Sequence, residues 1–269
     1  MRRLAVALLV LGALAKPVLS LDLPEIRQRG KLLVLVAGDP TAPPVAPSRF
    51  LARQGNSLVG IEGEILAGFA RQQKLELEPV YVPSWEMLIP SLVNKKGDLI
   101  AGGMTRTEER RKLIEFSVET FPTRDVVVTR KPHRVIQTLE QLREEQVGVA
   151  IGTSYVETVR AAGVPSKNLK IIGSASSLAE LMRSGAITAT VEGVEIALAP
   201  QEEDPSVQLG MFLGPPQSIA LGVRKEDQQL LAALNDYIGN VRKTPTWNRL
   251  VIKYFGDRAI DVLRRARGE

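Results

Sequence analysis

The chain contains no cysteine and one histidine, His133, in 269 residues. Without cysteine there is no disulfide, no thiol nucleophile and no thiolate metal site. A Ser-His-Asp triad or a multi-histidine zinc site would have to be built around His133 alone. That residue reads as an exposed position after a chain crossover, so no metal site is expected. No GxxxxGK[ST] phosphate loop, no GxGxxG after a strand, and no HExxH, EF-hand or GxSxG pattern occurs. Nucleotide-driven, zinc and serine-hydrolase chemistries therefore have no motif to stand on, and neither a cofactor nor a catalytic residue is expected. Hydrophobic residues make up 44% and charged residues 24%, which excludes disordered, collagenous and coiled-coil classes. The length suits one large domain or two ordinary ones.

A net charge of +5 suggests an affinity for nucleic acid until its location is considered. The chain opens Met1-Arg2-Arg3, continues from Leu4 to Ala15 without a charge, and reaches Lys16 and Ser20. A basic start, a short apolar run and a small residue before a cut have the form of a secretory signal. The run is shorter than the roughly 20 residues that span a bilayer. Residues 1–20 are expected to be removed, taking Arg2, Arg3 and Lys16 with them, so the charge falls from +5 to +2. Nucleic-acid binding loses its basis. No cysteine stands near the cut to carry a lipid. A periplasmic, unanchored, monomeric protein is expected.

Beyond residue 25, short apolar runs alternate with amphipathic stretches. Lys31 to Val36 reads as a buried strand, followed by a loop holding Pro40, Pro43, Pro44 and Pro47. Ile61, Ile65, Leu66 and Phe69 have helical spacing, Leu75 to Val82 alternates like a strand, and Trp85 to Val93 is helical. Asp98 to Gly103 is a short strand running into glycines. A second series follows: strands at Val147 to Ile151, Leu169 to Ile172 and Thr188 to Val191, with helices at Ser154 to Ala162 and Ser177 to Arg183. The order predicts parallel sheets with right-handed crossovers, α/β in class. Residues 225–269 read as mostly helical, interrupted by Pro245.

Carboxylate pairs occur at Glu62/Glu64 and Glu192/Glu195; taken alone, each reads as a solvated face. The informative stretch is GDLIAGGMTRTEERRKLIEFS, Gly97 to Ser117. A strand ends in glycines whose N–H groups become available, hydroxyl residues follow, and arginines lie on the next helix. A guanidinium offers a carboxylate a forked pair, and hydroxyls and helix-start N–H groups can complete its shell. Thr107 capping an ordinary charged helix explains the same residues.

That stretch resembles the signature of the family-3 solute-binding proteins of ABC transporters, the periplasmic amino-acid-binding type. The resemblance continues through LLVLVAGD, GIEGEILAGFA, WEMLIPSLVNKKGDLIAGGMT and LREEQVGVAIGTS to SIALGVRKEDQQLLAALNDYI and WNRLVIKYFGD. The opening LPEIRQRGKLLVL and the YFGD ending are most similar to the solute-binding-like region of membrane-bound lytic murein transglycosylase F. Thirteen residues follow Gly256, so the lysozyme-like domain of that protein is not expected here. The resemblance implies a periplasmic-binding-protein-like fold: two α/β lobes, two crossover strands as a hinge, and a ligand in the interlobe cleft. Crossovers are expected near 126–130 and 218–222, with residues 24–126 and 222–269 forming lobe one and 127–221 lobe two. A small carboxylate-bearing ligand and an ABC permease are the implied partners. A sensor or cell-wall accessory module, and a dehydratase similar to cyclohexadienyl dehydratase, are the rival functions.

By resemblance, Arg110 is the carboxylate-binding arginine, Thr105 offers N–H and hydroxyl to the same group, and Gly103 contacts the ligand. Thr153 and Ser154 match the turn of lobe two that closes on the carboxylate. Trp85 matches the aromatic wall, although it also fits a core position, and Asp39 matches an acid near the ligand amine, although it also fits a turn before Pro40. The family pattern GxxDAxxxD falls on Gly185 to Gly193, with Thr188 and Gly193 in place of its aspartates. Glu192 is the neighbouring candidate, but one residue along a strand faces the other way. An aspartate at Gly193 is expected to restore an amine acceptor. Ala42 replaces the first-loop aromatic. A dicarboxylate, a keto acid, and a peptide-like or cell-wall fragment stay open as ligands.

Overall fold

A computed structural model describes residues 22–39, 49–54, 57–173 and 175–269. The signal-like segment, the four loop prolines and Ala42 lie outside the described residues. In chain order the strands are β1 (Lys31–Ala37), β2 (Ala52–Gln54), β3 (Ser57–Val59), β4 (Glu76–Val82), β5 (Leu99–Ile100) and β6 (Glu115–Phe116). They continue as β7 (Phe121–Arg130), β8 (Val147–Ala150), β9 (Leu169–Ile172), β10 (Ala189–Gly193), β11 (Val207–Ile219) and β12 (Gly222–Val223).

Two five-stranded sheets organise the molecule, ordered β4-β1-β5-β12-β6 and β11-β7-β10-β8-β9, and β2 pairs with β3 as a small hairpin. In the first sheet β1 lies parallel to β4 and β5, while β12 runs antiparallel to β5 and β6. In the second, β8 is parallel to β9 and β10, and β7 runs antiparallel to β10 and β11. The sheets are therefore mixed, where the sequence order suggested parallel ones. The strands that carry the chain between lobes must run one out and one back, and that imposes the antiparallel pairs.

The first passage also lies upstream of the expected 126–130. Phe121, Pro122 and Thr123 already pair with Ile219, Ser218 and Gln217 in the second sheet, so the chain leaves the first sheet between Phe116 and Phe121. Return falls between Ile219, paired with Phe121, and Gly222, paired with Ile100. Glu119, inside the first passage, gathers three side chains there. Ser218 Oγ donates to its Oε2 (2.7 Å), Arg242 Nη1 donates to its Oε1 (2.8 Å) and its backbone carbonyl, and Arg267 pairs with the same carboxylate.

Ile61, Ile65, Leu66 and Phe69 are buried along one face of the helix Ile61–Gln73, which covers the first sheet. Pro245 begins a helix rather than breaking one. Gln228–Arg242 ends, and Pro245–Phe255 starts with proline at its first turn, where no N–H is needed. The last helix, Ala259–Arg267, packs on β7 and on the helix Val194–Glu203. Asp22 caps two helices at once, accepting from Leu23 N (2.8 Å), Leu230 N (2.8 Å) and Gln229 N (3.0 Å). His133 is not simply exposed: its Nε2 lies 2.7 Å from Glu145 Oε2, because the start of the second lobe folds back over the turn after β7.

Phe121, fully buried, stands where the chain enters the second sheet. It stacks on Phe255 (centroids 5.1 Å), meets Phe50 edge-on (5.6 Å) and touches Trp247 (5.8 Å). The passage is thus pinned to the C-terminal helices by aromatic area. Phe121→Ala should destabilise the fold by about 3–5 kcal/mol, the cost of a large buried ring and its cavity. Urea unfolding monitored by tryptophan fluorescence should show this as a lowered midpoint; a change under about 1 kcal/mol would mean the cluster is not structural.

Candidate functional site

Between the sheets lies a cavity of about 190 Å³. The first lobe lines it with Trp85, Gly102, Gly103, Thr105 and Arg110. The second lobe contributes Ala150, Thr153, Ser154, Tyr155 and Glu192, and Leu178, Val191 and Ile196 complete an apolar wall. Seven of the eight residues expected at a ligand therefore border one space. Asp39 is the exception: it sits exposed just past β1 and does not line this cavity.

Arg110 is placed by Thr107, whose hydroxyl caps the short helix Glu108–Arg111 and accepts from Arg110 N (3.2 Å). The capping and ligand readings of this segment are compatible, since the cap aims the arginine. Arg110 Nη1 donates to Thr105 O (2.7 Å) and Nη2 to Gly152 O (3.0 Å), so the guanidinium bridges the lobes. Among the described residues no carboxylate pairs with it. Burial pulls its pKa below the ordinary value, with Glu157 and Tyr155 opposing.

The glycine N–H groups are not available as the sequence suggested. Gly102 N (2.6 Å) and Gly103 N (2.9 Å) both donate to Glu62 Oε2, and Thr120 Oγ1 donates to Glu62 Oε1 (2.8 Å). Glu62 is completely buried rather than part of a solvated face, and burial raises its pKa against those hydrogen bonds. Gly102 and Gly103 have φ of 121° and 93°, a backbone open to glycine, and they shape the cavity through the surface of their backbone. The signal for Glu62 was present: it precedes Ile65 and Leu66 by three and four residues, on the apolar face of its helix.

Trp85 satisfies both of its readings, since it packs against the core around Leu88 and Met104 while walling the cavity; its buried Nε1 has no hydrogen-bond partner. Thr153 Oγ1 donates to Ala150 O (2.7 Å), closing the turn, and Ser154 is buried beside it. Thr188 lies away from the site, donating to Glu145 Oε2 (2.6 Å).

Below the cavity lies a set of acids in neutral surroundings. Asp125 Oδ2 accepts from Thr158 Oγ1 (2.6 Å) and Gln217 Nε2 (3.3 Å), and Glu195 Oε2 accepts from Thr123 Oγ1 (2.7 Å). Tyr155 OH accepts from Gly193 N (3.0 Å), and burial raises the phenol's pKa well above its ordinary value. Burial pushes Glu192 up to about 7 and Glu195 up to about 8. Glu195 is buried and Glu192 half-buried, so neither belongs to the expected solvated face. The expectation for Gly193 is corrected as well. A Cβ there would stand 2.2 Å from Glu195 Oε1 and 2.8 Å from Thr123 Oγ1, so an aspartate does not fit while Glu195 holds that space.

A carboxyl held protonated by the fold makes stability depend on pH. Glu195 favours folding fully below its unfolded value, near 4.5, and that contribution is lost as pH rises through about 8. The free energy of unfolding should therefore fall between pH 5 and 8.5, and Glu195→Gln should flatten the slope. Denaturant titrations across that range check this; equal slopes for parent and variant would refute it.

The family model of the bacterial extracellular solute-binding proteins, family 3, matches residues 34–257. The chain is 28% identical over 237 residues to the L-cystine-binding protein TcyJ of Escherichia coli (strain K12), covering 86% of this chain and 85% of that one. It is 26% identical over 235 residues to the membrane-bound lytic murein transglycosylase F of Desulfosudis oleivorans. That match covers 86% of this chain but 50% of the relative, so the chain spans half of that protein's length. Among solved structures, the P235GK mutant of ArgBP from T. maritima superposes with a TM-score of 0.77 at 28% identity, over 87% of this chain and 99% of that one. With the family model extending from β1 to the C-terminal helices, this chain belongs to the bacterial extracellular solute-binding proteins of family 3.

Proposed function

We propose that the protein captures a small carboxylate-bearing ligand, an amino acid or a close relative, between its lobes outside the cytoplasm. It binds without converting the ligand, and its closed form is the state that an ABC permease receives. The observation that carries this reading is Arg110: a guanidinium enclosed between two lobes, beside a cavity, with only neutral carbonyls as partners. A half-buried cation without an ion pair is costly, and a ligand carboxylate offsets that cost with a forked pair. Closure follows from the same contact, because a ligand touching both lobes stabilises the state in which they meet. The signal-like N-terminus supports export, which the mass of the mature protein in the periplasmic fraction tests.

A cell-wall accessory role is the second reading, supported by the similarity to transglycosylase F. Native mass spectrometry against amino acids, keto acids and murein peptides separates the two, and an altered ligand mass would reveal conversion. For the ligand so found, Arg110→Ala should weaken binding about 30-fold or more, since an unpaired buried charge costs roughly 2–5 kcal/mol. Arg110→Lys should recover only part of this, because an ammonium cannot reproduce the fork. Calorimetry with folded variants decides it; unchanged affinity in Arg110→Ala would remove the carboxylate site.

A further inference from the structure

Behind β10 lies a second cavity, also about 190 Å³. It is enclosed by the second sheet and the helices Ala175–Arg183 and Val194–Glu203. Its walls are mostly apolar, formed by Val128, Leu178, Met182 and Ala197. Two polar side chains face it from β10, Thr190 and Glu192, which share one side of the strand. The Thr190 hydroxyl is buried and has no hydrogen-bond partner. No hydrogen bond or ion pair holds the Glu192 carboxyl among the described residues. At the far end, Arg130 Nη1 is paired with Asp204 Oδ2 (2.5 Å).

Glu192 and Leu178 border both this cavity and the interlobe one, so the two spaces meet at Glu192. We propose that the cavity behind β10 is a side-chain pocket, and that it selects ligands bearing a cationic group on an alkyl stem. This rests on the reading of the interlobe cavity as an amino-acid site. A carboxylate held at Arg110 leaves the ligand's side chain to run along Leu178 and Ile196, past Glu192. Its methylenes meet the apolar wall, while its cation reaches Glu192, with the Thr190 hydroxyl as a further acceptor. Two arginines border the cavity: Arg130 is neutralised by Asp204, and Arg183 is exposed, so that water screens its charge from the ligand's. An acidic side chain would instead oppose the ionisation of Glu192, and a short one would leave both polar groups unpaired.

Three ligands test this with the whole mature protein: lysine, norleucine, which keeps the whole carbon stem without the ammonium, and alanine, which has nothing to place in the pocket. Lysine should bind at least about tenfold tighter than either of the others. Glu192→Gln should lower the ratio of lysine to norleucine affinity to near one. Ala197→Leu, which fills the pocket, should weaken lysine and norleucine about tenfold and leave alanine unchanged; circular dichroism and thermal unfolding confirm that each variant is folded. If Ala197→Leu does not fold, the ligand series on the parent and on Glu192→Gln decides alone. Equal affinity for lysine and norleucine in the parent overturns the proposal while leaving the amino-acid reading intact. So does a Glu192→Gln variant that weakens alanine as much as lysine, because the acid would then serve the shared α-amine. A parent that binds none of these and no other amino acid removes the underlying reading itself.

Discussion

A guanidinium enclosed between two lobes constrains everything around it. Arg110 is held by a capped turn of helix on one side and by the Gly152 carbonyl on the other. Carbonyl dipoles solvate such a charge only in part, and the low dielectric around it strengthens whatever anion arrives. Among the described residues no carboxylate forms an ion pair with it, and Glu157 acts on it only through its field. Glu62, the buried acid on the first-lobe side of the cleft, is committed to Gly102, Gly103 and Thr120. It fixes the glycine turn that forms the floor of the cavity and does not neutralise the arginine.

The second lobe presents the opposite arrangement. Its acids, Asp125, Glu192 and Glu195, have neutral partners or none, so burial pushes them toward the protonated form. The cleft thus sets Arg110 on one wall against Glu192 on the other. The zwitterionic ligand proposed above would match both. The hinge that allows this is short: Phe121 pins the first passage in an aromatic cluster, and Glu119 ties Arg242, Arg267 and Ser218 to it.

Much of this could be read from the chain because the readable features are local. Arg110, Thr105 and Trp85 lie in one unbroken signature, and the helical spacing of Ile61 to Phe69 and the strand at Lys31 follow from period alone. What the sequence concealed is tertiary. Whether Glu62 or Glu195 is solvated depends on what covers its helix, although both stand on apolar faces that could have raised the question. The engagement of the glycine N–H groups requires knowing that Glu62 lies beneath them. The first passage moved upstream because strand pairing at Phe121 involves residues almost a hundred positions away. Gly193 looked like a lost aspartate, whereas the space beside it is filled by Glu195, two residues on.

The central claim is that Arg110 is completed by a carboxylate, and a ligand pair differing only in that group tests it most directly. Calorimetry on the parent protein would compare the best-binding amino acid with its own carboxamide, which keeps the shape but lacks the negative charge and replaces one acceptor oxygen with a donor. The account predicts that the carboxamide binds at least about 30-fold more weakly, equivalent to roughly 2 kcal/mol. Equal affinity for the two would show that the guanidinium needs no anion and would contradict the account.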